Sequence, residues 1–232
     1  MYEDIKKIED SFIKEQQELF KRIDFANRVV LPDVNTVAGA DIAYWNKDGK
    51  EYAVCCIVVI DYRTHKVIEE ASYTASINVP YIPGCLAYRE IPVFMETYQK
   101  IGNVPDVIFF DGNGYLHPRH MGLAVHAGIL LGKITVGIAK TYYKIRNVDF
   151  EMPENIAGAY SDIVINGEVY GRALRTHAGV KPVFVSTGNK ISLDMAVHMA
   201  NELTGKESHI PIPTRLADLM THKERKKYNA LD

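Results

Sequence analysis

The alternation of hydrophobic and polar residues along the chain predicts a domain of the mixed α/β class. Residues 107–110 form a continuous run of valine, isoleucine and phenylalanine, which is typical of a strand covered on both faces. Residues 3–23 carry apolar side chains at helical spacing between lysines and glutamates, which indicates an amphipathic helix. The same criteria predict strands at 36–44, 52–60, 67–75, 105–110, 135–139 and 182–186, and helices at 86–101, 120–131, 192–203 and within 210–220.

The spacing of these elements predicts how they connect. Short polar turns join the first three strands, which should form an antiparallel meander, whereas helices separate the next two strands and should make them parallel. The expected centre is a mixed five-stranded sheet, with three antiparallel and two parallel strands, flanked by helices. Asn166-Gly167 indicates an additional hairpin. No long linker or repeat interrupts residues 1–232, which are therefore expected to form a single domain.

Composition narrows the class of protein. The cysteines, Cys55, Cys56 and Cys85, are odd in number and lack metal-binding spacing, which favours a reduced, cytoplasmic protein. No apolar run reaches the length of a membrane span, and the charged N-terminus is unlike a signal peptide, so no membrane association is expected. The net charge is only −2, so binding to nucleic acid would need a local basic patch.

Acidic side chains near strand ends are the candidates for chemistry. Asp111 follows the buried run 107–110, and a Gly-Asn-Gly sequence comes next, where a ligand could approach the backbone closely. Asp41 lies in the first strand and would meet Asp111 if the first and fourth strands are neighbours. Glu90 and Asp218 could join them from other elements. Several carboxylates without clustered cysteines or histidines suit hard cations such as Mg²⁺ or Mn²⁺.

Asp41 and Asp111 also have purely structural interpretations. Asp111 could simply begin a turn, with the glycines serving only the backbone geometry. Asp41 could face solvent or pair with a lysine, since an unpaired carboxylate is costly in a central strand. The residue pattern alone leaves both interpretations open.

Five segments of the chain resemble the successive motifs of the endonuclease V family. They are VAGADIAY at 37–44, PYIPGCLAYREIP at 80–92, DGNGYLHPRHMGLAVHAGIL at 111–130, TVGIAK at 135–140 and PTRLAD at 213–218. They occur in the family's order and span most of the chain. The resemblance implies a ribonuclease H-like fold and Mg²⁺-dependent cleavage at the second phosphodiester bond 3′ to a hypoxanthine nucleotide. The products would carry 3′-hydroxyl and 5′-phosphate ends.

The resemblance also implies roles for individual residues. Asp41, Asp111 and Glu90 match the acidic metal site, Asp218 matches an acidic or histidine position near it, and Lys140 matches a lysine near the reacting phosphate. Two further groups of residues concern the damaged base. The implied strand wedge consists of Pro80, Tyr81, Ile82 and Pro83, and the implied base pocket of Gly84, Leu86, Gly112, Gly114, His117 and Gly122.

Three functions fit these motifs. Repair of DNA containing deaminated adenine is favoured, with magnesium as the cofactor, manganese as a substitute and a monomeric enzyme acting on inosine-containing nucleic acid. An endoribonuclease for inosine-containing RNA is the alternative, because DGNG at 111–114 occurs in relatives of both kinds. A non-catalytic reader of deaminated bases is disfavoured, since it would have no reason to retain the acidic residues. Asn189 departs from the histidine of many relatives, which leaves the role of that side chain open.

Overall fold

The structure, a computed structural model, describes residues 2–229 and is built around one sheet. Its strands are β1 (Thr36–Lys47), β2 (Lys50–Asp61), β3 (Val67–Ser76), β4 (Val107–Asp111), β5 (Ile134–Ala139), β6 (Tyr160–Ile165), β7 (Glu168–Leu174) and β8 (Val183–Thr187). Its α-helices are α1 (Tyr2–Phe20), α2 (Ala87–Tyr98), α3 (Leu123–Leu131), α4 (Leu193–Glu202) and α5 (Ile212–Asn229), and a 3₁₀ turn covers Leu31–Asp33.

The mixed α/β class is confirmed, but the prediction of a five-stranded sheet is wrong in strand number. The sheet has eight strands in the order β3-β2-β1-β4-β5-β8-β7-β6. The hairpin around Asn166-Gly167 forms β6 and β7, and β8 pairs antiparallel with β5, as Val136 opposite Thr187 shows. Local sequence predicted these strands but not the sheet that they join, because strand pairing is decided by partners distant in the chain.

The first and fourth strands are neighbours, which is the condition for Asp41 to meet Asp111. β1 runs antiparallel to β2 and parallel to β4, with Ala40 opposite Phe110. β4 is in turn parallel to β5, with Asp111 opposite Ile138. The carboxyl ends of parallel strands meet at one edge of a sheet, so the residues that follow Ala40, Phe110 and β5 are brought together.

The helix predicted from residue 120 begins later, at Leu123. His117 accounts for the delay, because its Nδ1 accepts hydrogen bonds from the backbone N–H groups of Arg119 and Met121, at 3.2 Å each. His120 has a φ of 55°, a left-handed conformation that cannot continue a right-handed helix. The segment 117–122 is therefore a compact turn, stabilised by a side chain, beside the edge of the sheet.

Hydrophobic clusters cover both faces of the sheet. On one face Phe109 and Val37 pack in the cluster that includes Ala217 of α5. On the other face Phe110 packs with Phe94 of α2 in a second cluster. Consecutive residues of β4 thus face opposite layers, as its continuous apolar run predicted. Among residues 2–229, the helices lack the length and continuous apolar character that crossing a bilayer requires.

Helix α5 lies unusually close to β1. A Cβ atom placed on Gly39 would be 2.0 Å from the carbonyl oxygen of Pro213 and 2.5 Å from the amide nitrogen of Thr214. Both neighbours are backbone atoms, so they cannot turn aside as a side chain would. The missing side chain at Gly39 therefore sets the distance between the helix and the strand.

Replacing Gly39 by alanine should push α5 away from β1. We expect overpacking to cost ~1–3 kcal/mol, which lowers the melting temperature by a few to about 10 °C in a chain of this size. Gly102→Ala is the matched control, because its Cβ would meet only Glu69 side-chain atoms at 3.6 Å or more. Thermal melts of the two variants test the contact. Equal melting temperatures would contradict the proposed constraint.

Candidate functional site

Three aspartates from separate elements converge at the carboxyl edge of the sheet. Asp41 follows the part of β1 that pairs with β4, Asp111 ends β4, and Asp218 lies on α5. One carboxylate oxygen from each lies within 4.8 Å of the others. The structure thus brings together side chains that lie at least 70 residues apart in sequence. Such spacing allows one cation to contact all three carboxylates.

Lys140, directly after β5, lies between two of these aspartates. Its Nζ is 2.5 Å from Asp111 Oδ2 and 2.8 Å from Asp218 Oδ1. Burial alone would lower the pKa of Lys140, but attraction to Asp111 and the hydrogen bonds to both carboxylates outweigh burial and raise it. The ammonium group therefore stays protonated and supplies positive charge at the cluster.

The charged form of Asp111 is disfavoured by its surroundings, which is visible in its pKa. Burial raises the pKa of Asp111, and repulsion from Asp41 raises it further, while Lys140 acts in the opposite direction. Thr221 Oγ1 lies 2.8 Å from Asp41 Oδ2 and can donate a hydrogen bond to it. The cluster consists only of carboxylate oxygens, with no thiolate or imidazole ligand atom among the described residues that form it. This donor set fits a hard divalent cation better than zinc.

Glu90 lies beside the cluster, in the first turn of α2. Its side chain is buried, and Tyr44 donates a hydrogen bond of 3.2 Å to Glu90 Oε1. Burial raises the pKa of Glu90 to about 8; the Tyr44 hydrogen bond opposes this, and the charges of Asp41 and Asp111 add to it. Among the described residues Glu90 is outside the set of mutually close oxygens, but it shares the wall of the adjoining cavity with Asp111.

A cavity of about 190 Å³ opens next to the acidic cluster. It is lined by Tyr81, Gly84, Leu86, Ala87, Glu90, Asp111, Gly112, Asn113, His117, Met121, Gly122, Leu123 and Tyr143. Most residues assigned to the base pocket from sequence are therefore together in this wall. Gly114 is not among them: a Cβ there would lie 2.1 Å from Thr187 O, so its small size serves packing against β8. The cavity and the acidic cluster share Asp111.

The loop assigned as a wedge has one exposed and one anchored side chain. The Tyr81 ring is 64% exposed and also borders the cavity, whereas Ile82 is buried. Pro80 and Pro83 flank this pair and restrict the backbone on either side. An aromatic ring is thus presented at the mouth of the cavity on a short, constrained loop.

Several residues at the site were missed by sequence reasoning. Tyr143, Met121 and Leu123 line the cavity but carry no local signal that distinguishes them from packing residues. Asn113 could have been identified from its place in DGNG, and its buried Oδ1 accepts no hydrogen bond within the described part of the chain. Thr221 could only be found once α5 was seen to pack against β1.

Asn189 has a structural role away from this cavity. Its Oδ1 accepts a hydrogen bond from the backbone N–H of Asp24, and its Nδ2 donates to the carbonyl oxygens of Gly128 and Lys133. The side chain is buried and satisfies three backbone groups of neighbouring loops. The asparagine side chain thus links the backbone segments around the start of β5 through hydrogen bonds.

The pKa of Glu90 predicts how pH affects the metal-free protein. The folded state retains a proton that the unfolded chain releases between pH 4.5, the ordinary value, and about 8. Glu90 therefore contributes stability that is fully present below the unfolded pKa and is lost as pH rises through about 8. In excess chelator, the melting temperature of wild type should fall relative to Glu90→Gln between about pH 5 and about pH 9. Parallel melting curves for the two proteins would contradict the shift.

Comparison with known proteins identifies the group to which this arrangement belongs. A sequence model of the endonuclease V family matches residues 17–219. Endonuclease V of Bacillus thuringiensis subsp. konkukian is 54% identical over 224 residues, which cover 97% of this chain and 95% of that protein. The crystal structure of endonuclease V from Bacillus subtilis superposes with a TM-score of 0.94 at 51% identity, covering 97% of this chain and 94% of that one.

A more distant relative has been crystallised with nucleic acid. Endonuclease V of Ciona intestinalis, in complex with a 24mer DNA containing an inosine followed by a ribo-adenosine, superposes with a TM-score of 0.84. It is 29% identical, and the match covers 96% of this chain and 99% of that one. The family match, the high identities and the shared fold lead to one conclusion: this chain belongs to the endonuclease V family of nucleases.

Proposed function

We propose that the protein is a Mg²⁺-dependent endonuclease that nicks strands containing deaminated adenine, with residues 1–232 acting as one catalytic domain. Cleavage would occur at the second phosphodiester bond 3′ to the hypoxanthine nucleotide and leave 3′-hydroxyl and 5′-phosphate ends. The observation that carries the proposal is the shared wall at Asp111, where an acidic cluster for chemistry adjoins a cavity for a base. The inosine-containing ligand of the Ciona relative supports the choice of substrate.

Asp41, Asp111 and Glu90 would hold the metal, and Asp218 would complete the site from α5. When bound there, Mg²⁺ supplies Lewis-acid activation of water and stabilises charge on the scissile phosphate. Mn²⁺, which accepts the same oxygen ligands, is the expected substitute. Lys140 keeps its proton because of its two carboxylate neighbours, so its Nζ can stabilise the extra negative charge on the phosphate as the bond to the 3′ oxygen breaks.

The cavity would receive the everted base. An enzyme that reads a damaged base has to remove it from the stack and recognise its edge in a close pocket. Gly84, Gly112 and Gly122 would expose backbone groups to that edge, and the buried acceptor Asn113 Oδ1 is available for a donor on the base. Tyr81 would fill the gap that the base leaves in the strand.

Removing one carboxylate charge tests the chemistry. Asp111→Asn keeps the side-chain shape, and we expect cleavage of a deoxyinosine oligonucleotide in Mg²⁺ to fall by at least ~10³-fold, as loss of metal-based stabilisation implies. Binding should largely survive, because the pocket remains. Asp10→Asn, on the exposed surface of α1, is the matched control. Ca²⁺ should support binding with little cleavage, because it is larger and less demanding in geometry. Near-normal nicking by Asp111→Asn would refute the assignment.

The same assay separates DNA repair from the RNA alternative. Matched single strands that differ only in sugar are compared: all-deoxy, all-ribo, and deoxy with a ribonucleotide directly after the inosine. We expect the all-deoxy strand to be nicked efficiently. Rapid cleavage of only the ribose-containing strands would instead establish an endoribonuclease.

Tyr81 provides a test of recognition that leaves the acidic cluster intact. Stacking of a base on an aromatic ring is worth ~1–3 kcal/mol, so Tyr81→Ala should weaken binding roughly ten- to a hundredfold. The loss should be larger for duplex than for single-stranded substrate, in which unstacking is already cheap. Tyr81→Phe keeps the ring and is the control. Binding is measured in Ca²⁺, and equal small losses on both substrates would return Tyr81 to a simple packing role.

A further inference from the structure

Gln16 is a buried polar side chain on a helix whose charged residues are mostly exposed. Its Nε2 donates a 3.0 Å hydrogen bond to the carbonyl oxygen of Gly84, and its Oε1 accepts a 2.6 Å hydrogen bond from Arg119 Nε. A buried amide is costly unless both of its ends are hydrogen-bonded. These two contacts satisfy both ends and connect α1 directly to the loop that carries Tyr81.

The Gly84 carbonyl oxygen is surrounded by donors. Arg119 Nη2 donates to it at 2.6 Å, and His117 Nε2 lies 3.1 Å away. His117 Nδ1 accepts from two backbone N–H groups, so the ring proton is on Nε2 and points at the Gly84 oxygen. Burial lowers the pKa of His117 to about 4, which keeps this neutral form at physiological pH. Gln16, Arg119 and His117 together determine where the carbonyl points.

Gly84 belongs to both recognition elements. Gly84 ends the loop that presents Tyr81, and it also lines the cavity. Its φ is 75°, and a Cβ there would be 2.8 Å from Arg119 Nη2, so the backbone is placed where only glycine fits without strain. The contacts to its carbonyl therefore anchor the end of the Tyr81 loop and one part of the cavity wall at the same time.

Other contacts of α1 reach the same region. The Phe12 ring stacks on Tyr88 with centroids 3.9 Å apart, and the Tyr88 hydroxyl donates to the Phe12 carbonyl oxygen at 3.0 Å. Leu19 packs with Met121 and Val125, and Met121 forms part of the cavity wall. These contacts pack α1 against α2 and α3 and so fix the position of Gln16 relative to Gly84.

We propose that Gln16 is a positioning residue for base recognition: from α1 it fixes the Gly84 carbonyl, together with Arg119, and so preorganises the Tyr81 loop and the cavity. This inference rests on the proposed function, because the benefit of a preorganised loop is tighter binding of the damaged strand. Gln16 contacts none of the carboxylates of the acidic cluster, which lie on β1, β4 and α5. Its role therefore concerns affinity and not the rate of bond cleavage.

Gln16→Met tests the role in binding, since it keeps the length of the side chain and removes both polar atoms. We expect its Kd for an inosine duplex in Ca²⁺ to rise about tenfold, as loss of a buried hydrogen-bonded pair implies. The cleavage rate in Mg²⁺ at saturating enzyme should stay within about twofold of wild type. Gln17→Met, the exposed neighbouring glutamine, is the matched control and should leave both values unchanged.

A second readout needs no substrate. Cys85 is 2% exposed, and its Sγ accepts a 3.4 Å hydrogen bond from Arg119 Nη2, so a thiol reagent reaches it only when the loop opens. Cys55 and Cys56 are buried within β2 and provide internal controls. Gln16→Met should speed labelling of Cys85 by about tenfold or more, as identified by mass spectrometry, and Gln17→Met should not.

The outcomes separate this inference from the proposed function. If wild type fails to nick inosine-containing strands, the proposed function is wrong, while faster Cys85 labelling in Gln16→Met still establishes that Gln16 holds the loop. If wild type nicks them but Gln16→Met leaves the Kd and the Cys85 labelling rate unchanged, the inference is overturned. A lower melting temperature with an unchanged Kd also overturns it. Should Gln16→Met not fold, Gln16→Glu, which keeps an acceptor for Arg119 and removes the donor to Gly84, decides by the same measurements.

Discussion

Repulsion among three aspartates is the constraint on which this site depends. Two carboxylates about 4 Å apart repel each other by about 4 kcal/mol at an effective dielectric constant of 20, so the surrounding fold has to hold them in place. Lys140 compensates part of this repulsion, from a position between Asp111 and Asp218. The pKa of Asp111 is nevertheless raised, by burial and by Asp41, so compensation within the protein is incomplete. A divalent cation would complete it, and its binding would stabilise the folded state.

The sheet provides the rigidity that such an arrangement needs. β1, β4 and β5 are parallel neighbours whose carboxyl ends share one edge, and both faces of β4 are buried. α5 adds the third aspartate because Gly39 lets its backbone contact β1. The hydroxyl of Thr221, one turn further along the same helix, reaches Asp41. The acidic cluster is therefore built on a strand pair and a packed helix. Such rigid elements can hold carboxylates close together despite their mutual repulsion.

The cavity is built differently from the acidic cluster in this molecule. The cavity wall consists largely of loop residues and helix starts, in which glycines bring the backbone close to the surface of the cavity. A neutral histidine, His117, and the guanidinium of Arg119 order this backbone through hydrogen bonds. Asp111 is the point at which the two parts meet, because it belongs to the acidic cluster and also lines the cavity. If the cavity holds a base, as proposed, that base would lie at a defined distance from the acidic cluster.

The sequence by itself determined the α/β class and most strands and helices, because hydrophobic periodicity is a local property. It named Asp41 and Asp111 as candidates, but only the pairing of β1 with β4 decided that they meet. Only the tertiary structure decided that the sheet has eight strands, since the pairing of β8 with β5 joins distant segments. It also decided that α3 starts at Leu123, where a hydrogen-bonded histidine overrides helical periodicity. Gln16 and Tyr143 carry no local signal: what a side chain contacts depends on which element packs against it, and that is settled only when the chain is folded.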